Sequence, residues 1–83
     1  MEHVVVCIYP FLFTQQVGVY KDGKCIKLVE CKMTEISSKC IELCKEYDIH
    51  QVDIGGSIIF ASKIKDKIVN NKFDNFNINV DIH

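Results

Sequence analysis

The chain has 83 residues, of which 48% are hydrophobic and 25% are charged, and its formal net charge is -1. A chain of this length supports one small hydrophobic core, so we expect a single domain over residues 1–83 and exclude a second one. All ten basic residues are lysines. Because bidentate recognition of phosphate and guanine relies mainly on arginine, a nucleic acid is disfavoured as a partner.

The cysteine content and the first residues bear on the cellular compartment. Five cysteines are an odd number, and the apolar run that follows Met-Glu-His is too short for a signal-peptide core or a membrane span. We therefore expect free thiols in a reducing cytoplasm and no membrane contact. The abundance of Ile, Lys and Asn without Arg or Trp is typical of an AT-rich coding sequence, which favours an origin in a low-GC bacterium or in its phage or mobile element.

The first predicted element is a strand at the centre of a sheet. Residues 4–10, VVVCIYP, are almost all apolar, as in strands that are covered on both faces. An apolar loop should follow, because Pro10 cannot continue the ladder of hydrogen bonds. Side chains alternate between the two sides of a strand. The side that faces the core should therefore carry Val4, Val6 and Ile8, and the opposite side Val5, Cys7 and Tyr9.

Two further strands, residues 15–21 and 24–32, are predicted to form a hairpin. Asp22-Gly23 lies between them, and both central residues of a type I′ turn need positive φ, which Asp and Gly tolerate. An unbroken ladder from this turn places Val19 opposite Ile26 and divides the hairpin into two faces. The face assigned to the core carries Val17, Val19, Ile26 and Leu28. The other face carries Tyr20, Cys25, Val29 and Cys31.

The remaining predicted elements are two helices and two strands. Thr34 is predicted to cap a helix that runs to about Tyr47, and Ser57 a second helix that runs to about Val69. Strands are predicted at residues 49–54 and 76–82. The order is therefore β-β-β-α-β-α-β, which predicts an α/β fold with a five-stranded mixed sheet of order 3-2-1-4-5 and both helices on one face.

Two segments of the chain carry a family resemblance. VVVCIYPFLFTQQVGVYKDGKCIKLVE and IHQVDIGGS resemble the opening strands and the fourth strand of the RuvC-type and YqgF-type resolvase group, which has the ribonuclease H-like fold. The resemblance implies that the first-strand Asp of the group aligns with Tyr9 and its fourth-strand Glu with Gly55. Phosphodiester cleavage in such sites needs acids that converge on divalent metal ions. The resemblance thus implies a catalytically degenerate domain, shortened after the fifth strand, with no catalytic residue, metal or cofactor.

The segment from Asp53 to Ser57 leaves an alternative open. Gly55, Gly56 and Ser57 come just before the second predicted helix, where backbone amides attract anions. They can also serve only as a tight connection from strand to helix. The alternative function is therefore a metal-dependent nuclease with relocated acids near Asp53, or a phosphate-binding protein.

The cysteines suggest two further kinds of chemistry. Cys40 and Cys44 are one helical turn apart and could bind zinc with Cys31 or His50, but no Cys-x-x-Cys or His-x-x-x-His pair supports such a site. A catalytic Cys-His pair is disfavoured, because every cysteine falls on a strand or on a buried helix face rather than at a helix N-terminus. We therefore assign Cys40 and Cys44, which lie in the apolar stripe of the first predicted helix, to packing.

The leading interpretation rests on the sheet face opposite the helices. No predicted element covers this face, and an exposed apolar area is typical of an interface. We expect a non-catalytic protein-binding module, either a homodimer or a small inhibitor or accessory protein that docks on a larger protein. Alternatively, Phe11, Leu12 and Phe13 fold back over the face. The predicted contact residues are Val5, Cys7, Tyr9, Tyr20, Cys25, Val29 and Cys31.

Overall fold

The structure is a computed structural model, and it describes residues 1–71 and 75–83. Its strands are β1 (His3–Ile8), β2 (Thr14–Lys21), β3 (Lys24–Lys32), β4 (Gln51–Gly56) and β5 (Asn79–Ile82). Its helices are α1 (Ile36–Tyr47), which follows a 3-10 turn at Met33–Glu35, and α2 (Ile58–Val69). The predicted α/β fold and the predicted order of elements are confirmed.

The five strands form one mixed sheet in the order β3-β2-β1-β4-β5, as predicted. The central strand β1 is antiparallel to β2, where Val4 pairs with Val19, and parallel to β4, where Val4 pairs with Val52. β5 extends the parallel half at the other side of β4. β1 therefore fixes the position of the hairpin relative to the parallel half of the sheet. No helix in residues 1–71 or 75–83 combines the length and the apolar character that crossing a membrane requires.

The core lies between the sheet and the two helices, which also pack against each other. The helices bury one apolar stripe each, with the buried residues three or four positions apart. From the helices the core receives Ile36, Cys40, Leu43, Cys44, Ala61, Ile64 and Ile68. From β1, β2, β4 and β5 it receives Val4, Val6, Ile8, Val17, Val19, Val52, Ile54 and Val80. The side chains that alternate with these strand residues form the opposite face, which neither helix covers and which we call the open face.

The last strand is shorter than predicted because its neighbour β4 begins only at Gln51. β5 pairs with β4 only over Asn79–Ile82. Just before it, the Phe76 ring stacks on the His50 ring with the centroids 4.3 Å apart, and His50 Nδ1 donates to the Asn77 carbonyl oxygen at 2.7 Å. Ring stacking and a side-chain hydrogen bond thus replace strand pairing where the prediction had extended the strand.

The entry into the first helix also differs from the prediction. Thr34 lies inside the 3-10 turn rather than at the cap of α1. The backbone N–H of Lys32 donates to Glu35 Oε1 at 3.0 Å, so a carboxylate caps the start of the 3-10 turn, two residues before the predicted cap. At the second helix, Ser57 occupies the predicted N-cap position of α2, without a capping hydrogen bond from its side chain.

The turn of the hairpin forms as predicted. Asp22 and Gly23 have φ of 52° and 77°, which are the positive values that the predicted turn needs at both central residues. Lys21 pairs with Lys24 across the turn. The sequence signal for this turn is therefore confirmed, together with the bounds of β3.

A β-bulge in β3 changes the register beyond the turn. Tyr20 pairs with Cys25 as predicted, but the next residue of β2, Val19, pairs with Lys27 rather than with Ile26. Ile26 is thus an extra residue on β3 with no partner on β2. Because side chains alternate with a period of two, one extra residue moves every following side chain of β3 to the other face.

Because of the bulge, four side chains of β3 lie on the opposite face from the one predicted. Ile26 and Leu28, which the unbroken ladder assigned to the core, are 46% and 56% exposed. Cys31, which was predicted to contact a partner, is buried, and Val29 packs against the core. These predictions were wrong because the register of the turn was extended along β3 without an insertion.

We expect Val29→Lys to destabilise the protein and Leu28→Lys to leave its stability nearly unchanged. Lysine at position 29 places a charge beside the core and should cost about 1–3 kcal/mol. At position 28 the side chain lies on an exposed face, where substitutions usually change stability by less than about 0.5 kcal/mol. Urea unfolding followed by circular dichroism compares the two variants. A larger loss of unfolding free energy for Leu28→Lys than for Val29→Lys would favour the register without the bulge.

Candidate functional site

A groove crosses the open face where β1, β2 and β3 lie side by side. Its volume is about 500 Å³. Gly18 of β2 forms the floor, because it pairs with Val5 of β1 on one side and with Leu28 of β3 on the other. The bulge brings Leu28 opposite Gly18. Neighbouring strands therefore supply two apolar walls around a position that has no side chain.

The ring of Tyr20 leans over the glycine in the floor. A Cβ atom at Gly18 would lie 2.9 Å from Tyr20 Cε1 and 3.7 Å from Cys25 Sγ. An aromatic side chain that covers a glycine on the same strand face protects the exposed backbone there. The Tyr20 ring also contacts the His3 ring edge-on, with the centroids 5.8 Å apart. Tyr20 is thus held from two sides and forms a fixed end of the groove.

Gln15 anchors the loop at the other end of the groove. Its buried side chain accepts from the Tyr9 N–H at 3.0 Å and donates to the carbonyl oxygens of Tyr9 at 2.7 Å and Leu12 at 3.3 Å. Both ends of the buried amide are thereby hydrogen-bonded. Tyr9 and Leu12 line the groove, whereas Phe11 and Phe13 are 82% and 97% exposed. Of the three apolar loop residues, only Leu12 folds back over the open face.

One carboxylate lines the groove. Glu30 Oε1 accepts a hydrogen bond from the Thr14 hydroxyl at 3.0 Å, and Glu30 pairs with Gln16 across the hairpin. No lysine is among the described residues that line the groove. Within residues 1–71 and 75–83, no cationic side chain forms an ion pair with Glu30. Lys32, two residues after Glu30 on the same side of β3, lies beyond Thr14 at the far end from Leu28 and forms no ion pair with Glu30. The groove therefore combines apolar walls with a carboxylate that is not ion-paired.

The structure brings together most of the contact residues that the sequence predicted. Val5, Cys7, Tyr9 and Tyr20 line the groove, and Cys25 is exposed beside its floor. Val29 and Cys31 belong to the core side, as corrected above.

Sequence analysis missed Gly18, Leu28 and Glu30 as parts of the groove. In the unbroken register, Ile26, Leu28, Glu30 and Lys32 would share the core face. Two charged residues on a supposed core face were the signal that this register is wrong.

A second group of polar side chains, which we call the Asp53 cluster, lies on the half of the open face formed by β4 and β5. His3 Nδ1 donates to Asp53 Oδ2, and His83 Nε2 donates to Asp53 Oδ1 at 3.0 Å. Gln51 Nε2 donates to Asp53 Oδ1 at 3.1 Å and to Asp81 Oδ2 at 2.8 Å. The cluster joins side chains of β1, β4 and β5 with the residue that follows β5.

The hydrogen bonds in this cluster stabilise the charged form of Asp53. Partial burial by itself would raise the pKa of Asp53, but the hydrogen bonds from His83, His3 and Gln51 outweigh it and lower the pKa below its ordinary value. Both carboxylate oxygens are engaged. Among residues 1–71 and 75–83, no three His, Cys, Asp or Glu side chains are placed to hold a metal ion. A relocated nuclease site near Asp53 stays a prediction that this arrangement does not favour.

The glycine pair connects β4 to α2 beside the end of β1. Gly55 and Gly56 pair with Cys7 and Ile8, and the Ser57 N–H donates to the Ile8 carbonyl oxygen at 3.2 Å. Gly56 has φ of 90°, and a Cβ atom there would lie 2.3 Å from that same oxygen. The segment therefore forms a close connection from strand to helix. Anion binding by Gly55, Gly56 and Ser57 stays a prediction, with one of the amides already bonded to Ile8.

All five cysteines are free, and the buried ones are not activated. Burial raises the pKa of Cys31 and Cys40 and raises that of Cys44 to about 12. The thiolate, which is the nucleophilic and metal-binding form, is therefore scarce at these positions at neutral pH. On the open face, a hydrogen bond with the Cys7 side chain raises the pKa of Tyr9, so the phenol stays neutral.

Comparison of the chain with protein-family models, with curated proteins and with solved structures finds no match. The resemblance to the resolvase group therefore rests on the two sequence segments and on the order of the elements. The function has to be inferred from the geometry of the open face.

We expect the Asp53 cluster to contribute stability that is lost in acid. The lowered pKa means that the contribution is complete above the pKa of the unfolded chain, near 3.8, and disappears as the pH falls through the lower pKa of the folded state. Urea unfolding at a series of pH values between about 5 and 2 measures this dependence. Asp53→Asn should most reduce the slope of the unfolding free energy against pH, and His83→Gln should reduce that slope less. Identical slopes in the wild type and both variants would show that the cluster has no such role.

We expect Gly56→Ala to destabilise the protein and Gly55→Ala to have little effect. Alanine at position 56 combines positive φ with a clash against the Ile8 carbonyl oxygen, a strain of roughly 1–3 kcal/mol. Alanine at position 55 would meet only Cys7 Sγ, at 3.8 Å. The midpoints of urea unfolding compare the two variants. Equal midpoints would contradict a structural role that is specific to Gly56.

Proposed function

We propose that the chain is a non-catalytic protein-binding module of the ribonuclease H-like type, which works in the cytoplasm and uses the groove on its open face. The observation that carries this proposal is the groove itself, with Val5 and Leu28 on either side of Gly18 and Glu30 nearby. A concave, mainly apolar site with a few polar groups is the usual form of a recognition site. Because three paired strands hold its walls, little order is lost when a partner binds.

The positions that align with the acids of the resolvase group support this reading. Gly55 pairs with Cys7, and Tyr9 follows Cys7 by two residues, so these positions lie at the same end of neighbouring parallel strands. The resemblance implies two converging acids there, and this chain has a phenol and a glycine. Without carboxylates the two positions cannot hold the divalent metal ions that phosphodiester cleavage needs. Binding is therefore the activity that the open face supports best.

The charges on the open face favour a partner of different sequence over a second copy of this chain. Glu30 lines the groove, and Asp53 and Asp81 lie on the other half of the same face. Among the described residues of this face the three carboxylates outnumber the one lysine, Lys32, so two copies packed face to face would bring surfaces of like charge together, and like charges across an interface cost free energy. The homodimer predicted from the sequence is therefore the alternative that the experiment has to separate from binding of another protein.

Leu28→Lys tests the proposal. A lysine in the wall of the groove should weaken partner binding at least about tenfold, or about 1.4 kcal/mol, while the fold stays intact. A partner is captured from an extract of the source cell with the immobilised wild type and identified by mass spectrometry. The purified partner is then titrated calorimetrically against the wild type and the variant.

Val69→Lys is the matched control. Val69 is also an exposed apolar residue, but it lies at the end of α2 on the helical side of the sheet. Equal binding by all three proteins, or an equal loss in both variants, would contradict the proposal. Sedimentation equilibrium of the wild type alone tests self-association. A dimer that Leu28→Lys dissociates, and Val69→Lys does not, would make a second copy the partner.

A further inference from the structure

The groove is apolar at one point and negatively charged at another. Leu28 and Glu30 are two residues apart on β3 and face the same side of the sheet. Two residues of strand span about 7 Å, so the carboxylate is displaced by about that distance from the walls beside Gly18. A ligand that fills the groove must therefore place two different chemical groups at a fixed separation.

Although Lys32 lies two residues away on the same side of β3, Glu30 forms no ion pair among the described residues. Its one hydrogen bond in the described structure comes from the neutral hydroxyl of Thr14. The remaining groove surface includes Leu12 and the rings of Tyr9 and Tyr20, which attract cations through their faces. Glu30 is exposed, so water partly screens its charge and its attraction for a cation is that of a surface ion pair.

We propose that the groove binds an apolar group joined to a cation, carried by a basic segment of the partner protein. The apolar part lies over Gly18 between Val5 and Leu28, and the ammonium or guanidinium group pairs with Glu30. This inference rests on the proposed function, because it names the partner chemistry that the same groove selects. Charge complementarity determines the choice: the groove offers a carboxylate, and its described lining offers no lysine.

Three small probes with the same ring and chain length test the preference for a cation. These are 4-phenylbutylammonium, the neutral 4-phenylbutanol and the anionic 4-phenylbutyrate. Each is titrated into the isotope-labelled wild type while amide signals are followed by NMR. We expect the ammonium probe to shift the signals of Gly18, Tyr20 and Leu28 with a dissociation constant about three- to fivefold below that of the alcohol, which is the size expected for a partly exposed charge pair. The carboxylate probe should bind most weakly.

Glu30→Gln identifies the group that selects the cation. Glutamine keeps a side-chain oxygen for the Thr14 hydroxyl, so the fold and the affinity for the alcohol should not change, while the advantage of the ammonium probe disappears. Glu46→Gln is the matched control, because Glu46 is exposed on α1 on the other side of the sheet. Glu46→Gln should bind the ammonium probe more tightly than the alcohol by the same factor as the wild type.

Other outcomes would overturn the inference. These are equal affinities for the three probes, the same preference in Glu30→Gln as in the wild type, shifts centred on the Asp53 cluster, or no shifts in the groove. Another such outcome is a partner protein that binds Glu30→Gln as tightly as the wild type and binds Leu28→Lys at least about tenfold more weakly. That result would contradict this inference and leave the proposed function standing. A partner that is insensitive to Leu28→Lys would remove both.

Discussion

The unpaired residue Ile26 determines which side chains of β3 reach each face of the sheet. Without it, Glu30 would point toward the helices, and a charge placed there without a partner would cost free energy. With it, Cys31 is buried and Glu30 lies at the surface. The same shift brings Leu28 opposite Gly18 and so forms the second wall of the groove. One bulge therefore has two results: it buries the core side of the edge strand β3, and it forms the groove.

Most of the fold could be predicted from the sequence because its signals are local. The Asp22-Gly23 turn, the helical stripes and the apolar run at β1 each depend on a few neighbouring residues. Predicting the bulge requires a comparison of two registers of β3, and each of them turns two apolar residues toward the core. These are Ile26 and Leu28 without the bulge and Val29 and Cys31 with it. The side chains that β1 and Tyr20 of β2 contribute to the groove were accordingly predicted, since the alternation there has no competing register, whereas Gly18, which has no side chain, was missed. The part that comes from β3 was assigned to the wrong face.

Gln15 shows another limit of sequence reasoning. It alternates with Val17 and Val19 and is buried beside them, so the sequence does indicate a polar residue at a core position. The partners of a buried amide cannot be read from such a pattern, because here they are backbone groups of the loop before β2. These hydrogen bonds also affect the groove. The hydrogen bonds to Gln15 hold Tyr9 and Leu12 at the groove even though Phe11, between them, is exposed.

The two carboxylates Asp53 and Glu30 differ in what already binds them, and this difference divides the open face. Both oxygens of Asp53 accept hydrogen bonds from side chains within the chain, so that half of the face stabilises the fold. Glu30 accepts one from a neutral hydroxyl and forms no ion pair among the described residues. Tyr9, which aligns with the metal-binding acid of the resembled group, lines the half that contains Glu30. The end of β1 therefore contributes an aromatic wall to the groove, and the carboxylate of the groove comes from β3.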